Sequence, residues 1–515
     1  MLLRLPLLSL LLVILALLMV IPMVLGAYQS DWRSGRSFLY SIIFVLTIAG
    51  ILGLTATPRP QVSAQRELAL LVLSWLILPV FAAIPVTMIT PAIGPVGAWF
   101  EMVASLSTTG GSIYVNLASV PDAVHLWRGL MGWYGGLITL VAAYAILAPR
   151  RLGGFEVGGT IARDVGVRSE QVVALGAATP SLSRRLVRAI RVVLPIYAGL
   201  TAALALIFHL LGQGGLLSTV HAMSILATSG ISPVAGGLAS TDSFVAEAFA
   251  AVFLVIAAVR VFYGNASEGG QRRGKWFEDP ELRLLLGLVA LATLILFGRH
   301  WVGALTIDVE EPVTDVFAAL WGNIFTVLSF LTTTGFESAS WTTARDWSGL
   351  ANPGLVLLGF CAVGGGAATT AGGIKLIRAY ALIRHGFREL ERIAQPNSII
   401  GVGASMRGIM RRGAVIAWTF VMLFFMALLL TVLGLTATGM GFQNALLAAT
   451  AALSNTGPVL TIVSEEALRF ADLTDPARVV LALAMIAGRI EVLALIALAN
   501  LDTWRRNENA TIKHW

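Results

Sequence analysis

The sequence predicts an all-α integral membrane protein, with four helix–loop–helix repeats in a pseudo-fourfold arrangement and an N-terminal helical hairpin ahead of them. Three observations carry that prediction. Of the 515 residues, 57% are hydrophobic and only 12% are charged, whereas a soluble domain is about half apolar and about a quarter charged. Apolar stretches long enough for a hydrocarbon core of roughly 30 Å, which takes about 20 residues, recur along the chain in pairs. Between the members of each later pair lies a shorter stretch ending in a polar, glycine-containing turn, and that turn occurs four times.

The opening apolar run, Leu5 to Ala27, exceeds the ~7–15-residue core of a cleaved signal and reads as a retained helix. Phe38 to Thr55 completes a hairpin. Further spans are expected at 68–90, 130–148, 192–211, 244–263, 284–298, 354–383, 414–433 and 479–498. They divide the chain into the hairpin at 1–60 and repeats at 61–160, 161–275, 276–400 and 401–515, with no large soluble domain left over. Basic residues gather between the pairs: Arg150, Arg151, Arg184 and Arg185, then Arg272, Arg273 and Lys275, then Arg384, Arg388, Arg392, Arg411 and Arg412, and finally Arg505 and Arg506. Asp308, Glu310, Glu311, Asp315, Glu465, Glu466 and Asp472 lie within the pairs instead. The positive-inside rule then places the linkers and both termini of this multi-pass chain in the cytoplasm. The net charge of +7 is spent on that topology, so contact with anionic membrane lipid is expected and nucleic acid is not. One cysteine, Cys361, excludes an intrachain disulfide framework, and six scattered histidines suggest no metal centre.

The four turns read SLSTTGGSI (105–113), ILATSGISP (225–233), FLTTTGFES (330–338) and ALSNTGPVL (452–460), aligned on Gly110, Gly230, Gly335 and Gly457. Non-helical backbone at membrane depth survives only where protein buries it or where it lines a water-filled cavity, so four such turns imply a shared aqueous axis. A dehydrated alkali cation needs oxygens in place of its water shell, and rings of backbone carbonyls supply them. Thr108, Thr109, Thr228, Ser229, Thr333, Thr334, Asn455 and Thr456 flank the glycines, and several add hydroxyl oxygens. Glycine reaches φ > 0 without a Cβ clash, which lets successive carbonyls face one axis. Half-helices expected at 97–107, 217–227, 316–331 and 443–453 would direct their partially negative C-terminal ends at the ion. None of the segments Ser107 to Ser112, Thr228 to Ser232, Thr332 to Phe336 and Asn455 to Pro458 carries a charged side chain, which suits a monovalent cation better than a divalent one. The plainer alternative treats these glycines as helix C-caps in re-entrant loops, without accounting for four copies.

On these turns, on the NTGP form of the last (Asn455 to Pro458), on GWYGG (Gly132 to Gly136) and on GGGAATTAGGIKLIR (Gly364 to Arg378), the chain resembles the Trk/Ktr/HKT superfamily of potassium transporters, most closely the bacterial Trk-type membrane subunit. The resemblance covers nearly the whole chain, including the extra N-terminal hairpin. It implies that the repeats are helix–pore-loop–helix units, that the four glycines define a selectivity filter with potassium at its backbone, and that the chain sits in a bacterial inner membrane. In some plant members serine at the first glycine accompanies sodium permeation, so Gly110 favours potassium. The second turn lacks the Gly-Gly-Phe often found in the family, which leaves the geometry around Ser229 to Ser232 less defined. The resemblance also implies a homodimer docked on a ring of cytoplasmic, TrkA-like regulatory subunits, with NAD or ATP bound only on that partner. Linkers 149–191 and 384–412 are the candidate docking surfaces, although their arginines could equally fix topology.

The span 354–383 is interrupted by Gly364, Gly365, Gly366, Thr369, Thr370, Gly372 and Gly373. Each interior glycine costs a helix about 1 kcal/mol relative to alanine, so an unwound loop within the membrane is expected. The spacing does not match a phosphate-binding loop, and a packing kink is the alternative. The resemblance makes this loop a gate beneath the filter and puts Arg489 in the cavity under it. A charge in mid-span is rare and faces a cavity or a partner; Glu247 and Glu491 are the candidate ion-pair partners. Lys375 reads as a gate residue or as a lysine that snorkels. No intramembrane Ser/His or His/Asp/Glu constellation suggests an enzyme. An ion-coupled secondary transporter, a potassium symporter with protons or sodium, is the competing function, but such proteins show two inverted halves where this chain shows four repeats of one orientation.

Overall fold

A computed structural model describes residues 7–55, 64–148, 182–260, 276–304, 313–350, 352–394, 404–463 and 468–490. All regular structure among the described residues is helical, as a chain in lipid requires if each segment is to satisfy its own backbone. Linker residues 149–181 and 395–403, Glu491 and the rest of the last span lie outside the described residues.

Helices α1 (Leu7–Tyr28) and α2 (Trp32–Thr55) form the expected hairpin. They approach closely where a Cβ on Gly26 would touch Gly35 N at 3.0 Å, and Ser9 Oγ donates to Ala49 O at 2.8 Å. Each repeat then consists of a leading helix, a half-helix and a trailing helix. The first holds α3 (Ala64–Ile89), α4 (Gly94–Leu106) and α5 (Asp122–Ala142), and the second α6 (Leu182–Leu210), α7 (Gly215–Ala227) and α8 (Phe244–Ala258). The third holds α9 (Pro280–Ala304), α10 (Val313–Leu331), the short α11 (Trp341–Ser348) and a trailing helix split into α12 (Gly354–Val363) and α13 (Leu376–Ala394). The fourth holds α14 (Ala404–Ala437), α15 (Phe442–Ser454), the one-turn α16 (Val459–Val463) and α17 (Asp475–Ile490). Three of the half-helices have 13 residues. At 1.5 Å per residue each is about 20 Å long, too short to cross.

Seven helices among the described residues are long and apolar enough to span a membrane. Several begin earlier than hydropathy alone suggests: α5 starts at Asp122 and α6 at Leu182, because a helix continues into the polar interface after its apolar core ends. Arg185 shows what that extension does. It pairs with Glu67 at 2.6 Å and donates to Ala145 O at 2.7 Å, in the π-helical turn Ala143–Leu147 that prolongs α5. This arginine was expected on a docking surface; it also ties the start of the second repeat to the first.

The hairpin rests on the first repeat, with Tyr134 Oη donating to Leu11 O at 3.0 Å and Gln29 Nε2 to Asp122 Oδ2 at 2.7 Å. GWYGG brings α5 against the end of the neighbouring half-helix: a Cβ on Gly135 would overlap the Leu106 carbonyl oxygen. Gly135→Ala is therefore expected to destabilise the protein by about 1–3 kcal/mol through overpacking, read as a fall in the thermal midpoint of the detergent-solubilised chain. An unchanged midpoint would refute this account of the motif.

Candidate functional site

Each half-helix ends in the same way. Within two residues of the helix end the chain turns left-handed, at Thr108 (φ 56), Thr228 (φ 49), Thr333 (φ 60) and Asn455 (φ 55). The next amide folds back on the helix, Thr109 N to Ala104 O, Ser229 N to Ser224 O, Thr334 N to Ser329 O and Thr456 N to Ala451 O, all at 2.9 Å. The left-handed residue itself donates to the carbonyl three positions earlier in all four cases. These are Schellman motifs, with threonine or asparagine where glycine is usual. Left-handed backbone costs an L-residue roughly 1–2 kcal/mol, and this chain accepts that cost four times in register. The cap lies two residues before the aligned glycine, so the glycines are not helix C-caps.

The glycines have a different job. Gly110, Gly230 and Gly335 have φ of 73, 65 and 81, as expected, but Gly457 lies outside the left-handed region, so conformational freedom does not explain it. Close approach explains all four. A Cβ on Gly110 would overlap Ser229 O, and one on Gly230 would overlap Thr334 O. On Gly335 it would meet Pro458 at 3.1 Å, and on Gly457 it would run into Gly111 and lie 2.8 Å from Thr109 O. The contacts run from the first turn to the second, third and fourth, and back to the first. That last step is bonded as well, by Gly457 N to Thr109 O at 2.6 Å and Asn455 Nδ2 to Thr109 Oγ1 at 3.1 Å. Thr108, Thr109, Thr228, Ser229, Thr333, Thr334, Asn455 and Thr456 are all at most 1% exposed. The twelve turn residues singled out from sequence are thus gathered in one closed, carbonyl-rich ring.

The broken span is a loop, as expected, and Gly364 (φ 73) and Gly373 (φ 76) pack against each other where it leaves α12 and reaches α13. It touches the ends of the half-helices directly. Gly372 N donates to Thr333 Oγ1 at 2.7 Å, Thr370 Oγ1 donates to Leu226 O at 3.1 Å, and Gly372 lies so close to Ser454 O that a Cβ would overlap it. Gly366 N donates to Ala258 O at 2.8 Å, and Ala367 N to Glu281 Oε1 at 2.9 Å. Thr369 Oγ1 turns inward to Gly366 O, and Leu376 N closes on Gly365 O. Lys375 is buried, and Nζ donates to Ala371 O at 2.5 Å. The ammonium group therefore serves the loop's own fold and does not snorkel outward.

Arg489 lies between ring and loop. Nε donates to Ser107 O at 2.9 Å, where the first half-helix ends, and Nη1 donates to Thr370 O at 2.5 Å. Nη2 is buried with no partner, and no carboxylate among the described residues pairs with this guanidinium. Glu247 is engaged elsewhere, accepting from Trp321, Ser338 and Ala339. Glu491 lies outside the described residues. Sequence reasoning missed Glu281, whose signal was a carboxylate at the edge of an apolar span. It also missed the left-handed threonines, for which residue type gives no signal.

The profile of the TrkH family, described as cation transport protein, matches residues 34–504. The chain belongs to this family. It is 31% identical to the Trk system potassium uptake protein TrkI of Halomonas elongata, an alignment covering 97% of this chain and 96% of that one. With the Trk system potassium uptake protein TrkH of Vibrio parahaemolyticus it shares 28% identity over 96% of this chain and 98% of the relative. The crystal structure of the potassium transporter TrkH from Vibrio parahaemolyticus superposes with a TM-score of 0.78, at 26% sequence identity, covering 96% of this chain and 98% of that one. The fold shared with that structure is the all-helical architecture described above.

Proposed function

We propose that the chain is the membrane subunit of a bacterial potassium uptake system, in which the ring of turns is the selectivity filter and the loop of residues 364–373 is its gate. The observation that carries this reading is the closed circuit of four Schellman-ended turns, each glycine seated on the next turn. A potassium ion entering the ring exchanges its water shell for backbone carbonyls, chiefly those of Thr108, Thr109, Thr228, Ser229, Thr333, Thr334, Asn455 and Thr456 and of the four glycines. The potassium uptake named for the relatives fits this donor set, as does the lack of charged side chains in Ser107 to Ser112, Thr228 to Ser232, Thr332 to Phe336 and Asn455 to Pro458. Gly110→Ser puts a side chain where Ser229 O now lies. In proteoliposomes it should lower the potassium-to-sodium flux ratio by about tenfold or more, a change of about 1.4 kcal/mol in discrimination. An unchanged ratio there and in Gly230, Gly335 and Gly457 variants would reject the filter assignment.

Gly364, Gly365, Gly366, Thr369, Thr370, Gly372, Gly373 and Lys375 form the gate in this reading, and Arg489 adds an electrostatic barrier that also latches the loop to the first half-helix. Arg489→Gln removes both the charge and the bond to Ser107. Conductance is expected to rise by about tenfold, which needs only about 1.4 kcal/mol of barrier from one charge beside a narrow path. Loss of thermal stability with unchanged flux per folded molecule would make Arg489 a structural residue instead.

The multi-pass chain would lie in the inner membrane with both termini cytoplasmic, its repeats divided at 61–160, 161–275, 276–400 and 401–515. It would work as a homodimer on cytoplasmic regulatory subunits that alone bind NAD or ATP. Within linkers 149–191 and 384–412, Arg184, Arg388 and Arg392 are the docking candidates together with Arg185, which also pairs with Glu67. Charge reversal at Arg184 and Arg388 should abolish co-purification with the regulatory subunit while the membrane subunit stays folded. Unchanged co-purification would leave those arginines to topology and lipid.

A further inference from the structure

Outside the ring, polar side chains tie each repeat to itself and to the next. Nine positions before each glycine the half-helix carries Glu101, His221, Thr326 or Ala448. In three repeats this residue holds the segment just past its own turn. Ile113 N donates to Glu101 Oε2 at 2.8 Å, His221 Nε2 and Ser232 Oγ lie 3.0 Å apart, and Ser338 N reaches Thr326 Oγ1 at 3.3 Å. In three repeats a second residue, near the start of the trailing helix, reaches the stretch that follows the turn of the next repeat. Arg128 Nη1 donates to Ser232 O at 3.4 Å, Glu247 accepts from Ser338 Oγ and Ala339 N at 2.6 Å each, and Asn352 Nδ2 donates to Val463 O at 3.0 Å. The fourth joint is apolar: the ring of Phe470 covers Gly111 and lies 5.5 Å from that of Phe100. Glu101 and Arg128 are themselves paired at 2.5 Å and are at most 2% exposed.

We propose that this belt of contacts, with Glu247 as its strongest member, positions the outer ends of the four turns and so sets how sharply the protein distinguishes potassium from sodium. Glycine-centred turns have few side chains of their own to hold their carbonyls at fixed separations. A carboxylate buried at membrane depth is costly unless its oxygens are bonded, and Glu247 meets that condition by accepting from Trp321 Nε1 at 2.7 Å as well as from the two donors of the third repeat. The bonds cross between repeats at the place where a shift of one turn relative to the next would change the ring. Glu247, Arg128 and Asn352 are positioning residues: they act through Ser338, Ser232 and Val463 and do not bind the ion.

The proposal rests on the turns being the filter, and the test separates the two. In proteoliposomes of the full chain, Glu247→Gln retains the shape but loses one acceptor. The potassium-to-sodium flux ratio should fall by about tenfold, equivalent to about 1.4 kcal/mol and within the worth of one charge-assisted hydrogen bond. Ser338→Ala, which removes one donor and keeps the carboxylate, should shift the ratio the same way by less. Amide exchange at Ala339 should quicken in Glu247→Gln. If Glu247→Gln fails to fold, Ser338→Ala and Asn352→Ala decide. Native ratios in the folded variants, with Gly110→Ser lowering the ratio in the same assay, overturn the belt alone. If Gly110→Ser is also without effect, the filter assignment falls and the belt's role in selectivity falls with it.

Discussion

Backbone that leaves a helix at membrane depth has no water to satisfy it, and the rest of this structure depends on how four turns meet that constraint together. Each half-helix closes its own end with a Schellman pair of hydrogen bonds, which turns the chain sharply. The following glycine then lies so near the next repeat that a Cβ would overlap it in three turns and crowd Pro458 in the third. The turns bury one another, and the carbonyls of the residues around the glycines are brought into one small volume. A ring of this kind exists only if all four members are present, which is why a short Ser/Thr/Gly string that means little once becomes informative at the fourth copy.

The loop and Arg489 extend the same logic one layer further from the ring. Thr333 is a turn residue whose hydroxyl accepts from a loop amide, and Ser107 is the last residue of a half-helix end whose carbonyl accepts from Arg489. Arg489 also holds Thr370 of the loop. Among the described residues no carboxylate pairs with this buried guanidinium, and its hydrogen-bond partners there are carbonyl oxygens, including one at the partially negative end of a helix. The bonds it makes, to Ser107 and Thr370, are few enough that one displacement of the loop could break them together.

Much of this was legible in the sequence because lipid leaves so few choices. Hydropathy located the spans, the four aligned glycines located the turns, and the density of glycine between Gly364 and Gly373 located the break between α12 and α13. What stayed hidden has specific causes. The left-handed Thr108, Thr228 and Thr333 look like any threonine, since only the helix behind them imposes that conformation. Gly457 was expected to turn its backbone as the other three do, whereas its role is to admit Thr109 O and Gly111. Hydropathy could not foresee that Arg185 would pair with Glu67, because a basic linker reads the same whether its charges face solvent or a carboxylate 118 residues away. Glu101 and Glu247 are carboxylates in otherwise apolar surroundings, a signal in itself, but their partners are set by how one repeat packs on the next.

Carrying four repeats in one chain frees each of them from identity, and the structure uses that freedom unevenly. Among the described residues, only the third trailing helix is broken. One loop beside a single axis is enough to meet the ends of several half-helices, since it contacts Leu226, Thr333 and Ser454 from one strand of backbone. Four such loops would multiply the glycine penalty and compete for the same space. The outer joints diverge as well, using Arg128, Glu247, Asn352 and Phe470 at the four joints around the ring. A homotetramer would have to put the same residue at each joint, and four buried carboxylates or four arginines would repel one another. Basic, acidic, amide and aromatic joints join one repeat to the next without accumulating charge of one sign around the ring.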